Sequence, residues 1–74
     1  MNYIELIEKI NNELSTNGVK SLYTLIANNI DIEVITSLMM KKTNEYNNLT
    51  NAEQKALIKY LKNLKLESQL LKTF

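Results

Sequence analysis

Apolar residues recur along this chain every three or four positions and nowhere alternate for a useful length, which predicts helices and no strands. In the first stretch Tyr3, Leu6, Ile7, Ile10 and Leu14 fall on one stripe. Glu5, Glu8, Lys9, Asn12 and Glu13 fall opposite, so a core-docked amphipathic helix is expected from about Asn2 to Leu14. The run Ser15-Thr16-Asn17-Gly18 should close it, because Asn and Gly accept the left-handed backbone. A second, short helix is expected from Lys20 to Asn28, with Leu22, Leu25 and Ile26 inward and Asn29 as a left-handed cap.

Asp31 then suits the N-cap of a third helix, with Glu33 in the first turn where the helix dipole favours an acid. Ile32, Ile35, Leu38, Met39 and Tyr46 would share its inner face, and Lys41 and Lys42 would sit toward its C-terminal end. After a loop at Asn47 and Asn48, Thr50 and Glu53 stand three apart, the spacing of a reciprocal capping box. The fourth helix places Leu57, Leu61 and Leu64 inward and Lys55, Lys59 and Lys62 outward. Beyond Lys65 the apolar stripe slips, since Leu66, Leu70 and Phe74 lie off it. The helix either bends there or gives way to a fifth near Glu67, and Leu71 is expected to fold back into the core. The expected fold is therefore all-α, a single domain over residues 1–74 with four helices or five, arranged as a helix-turn-helix or a small bundle.

Composition narrows the chemistry. The chain has 74 residues, no Cys, no His, no Pro and one Gly. It is too short for more than one modest core. The absence of Cys removes disulfides and thiolate metal sites. The absence of His and Cys together removes the commonest general base and the best nucleophile. Gly18 stands alone, so there is no glycine-rich phosphate loop. The acid pairs Glu5/Glu8 and Asp31/Glu33 read as a solvated face and a helix start. The expectation is a protein that is not an enzyme, with no cofactor and no metal.

The N-terminus has neither a basic region nor an apolar block, and no run approaches the roughly 20 apolar residues that span a bilayer. A cytoplasmic location, bacterial or host-cell, is expected. Heavy use of Asn, Lys and Ile suggests an AT-rich coding sequence of the kind found in low-GC bacteria, their phages and mobile elements. A net charge of +1 gives no strong field of either sign.

The segment around Asn28–Lys42 resembles, over some twenty residues, the helix-turn-helix of Cro- and repressor-like regulators. With Asn29 at the turn, Ile30, Ile35 and Leu38 occupy apolar positions, but Leu25 stands where a small residue is wanted and Asn28 where an apolar one is. The third helix would offer Glu33, Thr36, Ser37, Met40 and Asn44 outward. Reading bases most often uses Arg, Lys, Asn or Gln, and this chain has no Arg. Met, Ser and Thr suit a protein contact better. The preferred expectation is a small regulatory or inhibitory binding protein acting on a protein partner through Glu33, Thr36, Ser37, Met40 and Asn44. Leu66, Leu70 and Phe74 would form a self-association edge, which makes a homodimer a further expectation. The alternative is a DNA-binding regulator using Lys41, Lys42, Lys55, Lys59 and Lys62, with Lys65 extending that basic stripe. The segment "LTNAEQKALIKYLKNL", Leu49 to Leu64, also resembles the penultimate helix of class IIa bacteriocin immunity proteins. That resemblance implies a four-helix protein acting at the inner face of the membrane, and it stands as a minor alternative.

Overall fold

Three of the four helix starts among the described residues have a side chain that serves an orphan amide of the first turn. The computed structural model describes residues 2–73, with side chains through Leu70. Within it the chain forms α1 (Tyr3–Thr16), α2 (Leu22–Ala27), α3 (Ile32–Lys42) and α4 (Asn51–Thr73), and no strand among the described residues. The Asn2 side chain accepts from the Glu5 amide, and the Ser21 hydroxyl accepts from that of Thr24. At α2 the Asn11 side chain, reaching across from α1, also accepts from the Leu22 amide at 2.9 Å. The capping box at α4 is closed both ways, with the Thr50 amide donating to Glu53 and the Glu53 amide to the Thr50 hydroxyl.

The helix ends follow the same logic. Gly18 has φ +74°, and the Val19 amide bonds back to the Leu14 carbonyl while the Gly18 amide bonds to that of Ser15. Asn29 has φ +61°, and the amides of Ile30 and Asn29 bond to the carbonyls of Leu25 and Ile26. Both are Schellman closures, with a left-handed residue satisfying carbonyls the helix cannot. Asn is among the side chains that tolerate that conformation, so Asn29 stands in for glycine. Helix α1 runs two residues past Leu14, to Thr16, and α2 is shorter than expected, because Ser21 is spent as its cap and Asn28 closes it.

The inward stripes meet in one core. Ile7, Ile10, Leu14, Leu22, Ile35, Met39, Leu57 and Leu61 are fully buried. Each such side chain contributes roughly 1.5–3 kcal/mol, more than any single cap, so the core and not the caps dominates stability. Tyr3 and Tyr60 stack at 4.6 Å between ring centroids, nearly parallel, and join the start of α1 to the middle of α4.

Three expectations are corrected here. First, α3 stops at Lys42, so neither Asn44 nor Tyr46 lies on it. Thr43 turns to an extended conformation, and its hydroxyl donates to the Met39 carbonyl at 2.6 Å. The Glu13 carboxylate accepts from the Asn44 amide at 3.0 and 3.1 Å and from the Glu45 amide at 3.0 Å. The Asn17 side chain donates to the Lys42 carbonyl, and that of Asn47 to the carbonyls of Met40 and Thr43. These bonds replace the ones a longer helix would have made, and Tyr46 reaches the core from the turn that follows. Second, of the two continuations left open beyond Lys65, the fifth helix does not form: among the described residues α4 is one continuous helix of 23 residues. Third, Asp31 sits at the N-cap of α3 with extended backbone, but its side chain makes no capping bond. It stands 3.8 Å from the Lys65 ammonium instead. Phe74 and the Leu71 side chain lie outside the described residues.

Glu13→Ala removes the acceptor of those two amides and is expected to cost about 1–2 kcal/mol, read as a lower urea midpoint at unchanged slope. Stability should also respond to acid. The bonds from the Thr50 backbone and side chain hold the Glu53 carboxyl below the usual glutamate range. A lowered folded pKa gives a contribution that is complete above the usual glutamate range and is lost as pH falls through the lowered value. Urea midpoints taken across that window should fall less steeply for Glu53→Gln than for the parent, and parallel curves would contradict the cap.

Candidate functional site

Helix α3 buries Ile35 and Met39, packs Ile32 and Leu38 half-buried against the core, and leaves Glu33, Val34, Met40, Lys41 and Lys42 exposed. Glu33, Thr36, Ser37 and Met40 follow the i, i+3, i+4, i+7 spacing of one helical face. Glu33 and Met40 are exposed, and Met40 keeps 56% of its surface in solvent. Thr36 and Ser37 are half-buried, and the Thr36 hydroxyl donates to the Ile32 carbonyl of its own helix at 2.8 Å. Asn44 is not part of this face, for its amide is held by Glu13 beyond the end of α3. Val34 is exposed on α3 beside this face and was not expected there. Its signal was legible, since it is one residue, or 100° of rotation, off Ile35.

The same face borders a groove. An open hollow of about 570 Å³ lies between the start of α3 and the middle of α4, lined by Asp31, Ile32, Glu33, Thr36, Ile58 and Lys62. A second, of about 430 Å³, is lined by Tyr46, Asn51, Gln54, Lys55, Ile58, Lys59 and Lys62. Ile58 and Lys62 line both, so the two adjoin as one trough along α4, bordered by the start of α3 at its Lys62 end and by Tyr46 at the other. The fold thereby brings Glu33 and Thr36 together with Lys62, residues expected to serve rival functions, while Lys55 and Lys59 line the second hollow with Tyr46. Burial pushes the Tyr46 phenol above its ordinary value, which keeps it neutral where it lines the groove.

Charge along the trough is uneven. The α4 wall carries Lys55, Lys59 and Lys62, all exposed, while Asp31 and Glu33 stand at the opposite wall near Lys62. Lys65 does not extend the basic wall. Its side chain is only 17% exposed, donates to the Ile30 carbonyl at 3.1 Å, and fastens α4 to the turn between α2 and α3. Gln69 reaches Asn29 in the same turn at 3.3 Å.

The remaining expected residues lie elsewhere. Lys41 and Lys42 are exposed on the last turn of α3. Leu66 and Leu70 are exposed toward the C-terminal end of α4, at 56% and 55%. The spacing from Lys55 through Lys59 and Lys62 to Leu66 is four, three and four residues, which sets Leu66 on the continuation of the lysine stripe. Among the described residues no group of three His, Cys, Asp or Glu side chains could hold a metal, and no helix is long and apolar enough to cross a membrane. The likeness in Leu49–Leu64 consists of a closed capping box and a buried leucine stripe, both of them helix-forming features. No protein family, curated protein or solved structure matches the chain.

Proposed function

We propose that this chain is a small, non-catalytic regulatory or inhibitory protein that acts by occupying a surface of a protein partner through the outer face of α3 and the adjoining groove. The observation that carries this reading is the joint surface itself. An adaptable, exposed Met40 shares the helix face of Glu33 and Thr36, and those two line a mixed-charge hollow with Ile58 and Lys62. Thioether and aliphatic contacts ringed by polar groups are the usual make-up of a protein contact. A phosphate backbone meeting the start of α3 would face Glu33 and Asp31, where it is repelled.

A DNA-binding helix-turn-helix is the second reading. It is favoured by the left-handed Asn29 that joins α2 to α3 and by the exposed lysines of α3 and α4. Affinity capture from a bacterial lysate, with and without nuclease, separates the two. The protein-contact reading expects a stoichiometric protein that survives nuclease and moderate salt and is lost with Met40→Glu. That variant should fold normally, since exposed substitutions usually change stability by less than about 0.5 kcal/mol. Recovery of nucleic acid alone, with affinity falling steeply as salt rises, would replace this reading with the second.

A further inference from the structure

We infer that the groove between α3 and α4 takes an amphipathic helix of the partner, laid along α4 with acidic side chains against Lys55, Lys59 and Lys62. The inference rests on the protein-contact reading and names the chemistry of what that surface binds. Three features point to it. The trough runs along α4 from Asn51 to Lys62, about 17 Å at the rise of an α-helix, the length of some three turns of a docked helix. Its basic side chains are spaced four and three residues apart, so acids at i, i+4 and i+7 of a second helix would fall opposite them. Its floor is Ile58, which a single apolar stripe on that helix would cover.

Charge decides among occupants. The α4 wall from Asn51 to Lys62 holds three exposed lysines, and its one acid, Glu53, is committed to the capping box. A second copy docked by the same face would bring its own lysine wall to this surface, three cations against Asp31 and Glu33, and Asp31 already lies beside Lys65. A nucleic-acid backbone is negative throughout and would meet Glu33 at the end where the groove is acidic. A helix can carry acids along most of its length and a base at that one end, and so matches both ends. An extended strand is disfavoured, because the groove is walled by helices and has no sheet edge for it to extend.

The test uses the full chain, isotope-labelled, titrated in amide NMR spectra with three synthetic amphipathic peptides. They share one leucine stripe and differ only in carrying Glu, Gln or Lys on its flank, and a short DNA duplex serves as a fourth probe. The inference expects the Glu peptide to bind at least about tenfold more tightly than the Gln peptide, with shifts centred on Thr36, Ile58, Lys59 and Lys62. The double variant Lys59→Glu/Lys62→Glu should reverse the preference toward the Lys peptide, and its unchanged remaining spectrum would show that it folds. Equal response to all three peptides, no response at millimolar peptide, shifts confined to α1 and α2, or a groove response to DNA alone would each overturn it. If the peptides fail while Met40-dependent capture of a protein persists, the helix-in-groove inference falls and the protein-contact reading stands.

Discussion

The carboxylate of Glu13 holds the two backbone amides that follow Thr43, and much of the molecule is arranged around that contact. The residues after Lys42, Thr43 and Asn44, are weak helix formers, but low propensity alone does not fix where a helix ends. The end is fixed at Lys42 where Glu13 of α1 supplies an acceptor for the next amides and Asn17, just past α1, a donor for the Lys42 carbonyl. A charge-assisted bond of this kind is stronger than a neutral one, and two amides share it. The chain is then free to turn through residues 43–50 and deliver Tyr46 to the core and Thr50 to its capping box. Where α4 starts, and hence which of its residues flank α3, depends on that early stop.

Most of the fold was legible from periodicity because the core is built from stripes on each helix. Leu6, Ile7, Ile10, Leu14, Leu22, Leu25, Ile26, Ile35, Met39, Leu57 and Leu61 are buried as their spacing implies. The caps at Asn29 and Thr50 were legible because they are local chemistry. What escaped was long-range. Glu13 lies on the polar side of α1 by spacing, and nothing within its own turn reveals partners 31 and 32 residues away. Tyr46 keeps helical phase with Met39, so a turn that returns it to the core looks like a longer helix. Lys65 continues the lysine spacing, yet its length lets it reach the Ile30 carbonyl with the stem covered. The site was half legible. The face of Glu33, Thr36, Ser37 and Met40 followed from helical spacing, and so could the exposure of Val34 have done, whereas the trough required the packing of α3 on α4.

That packing also explains how a chain of net charge +1 carries a polarised surface. The lysines of α4 lie on one wall, and the acids that favour the N-terminus of α3 are held at the other. One acid is chosen by helix electrostatics and the other by position at the cap, so a feature that stabilises α3 sets the character of the groove.

Amide hydrogen exchange at Asn44 and Glu45 tests the central dependence most directly. These residues lie in a turn where Asn44 is solvent-exposed, so without the carboxylate their amides would exchange at rates close to those of an unfolded chain. The account predicts slow exchange at both in the parent chain. In Glu13→Ala that protection should be lost at these two amides while the core of α1 and α4 stays protected. Fast exchange at Asn44 and Glu45 in the parent, or undiminished protection in the variant, would contradict the claim that α1 sets the end of α3.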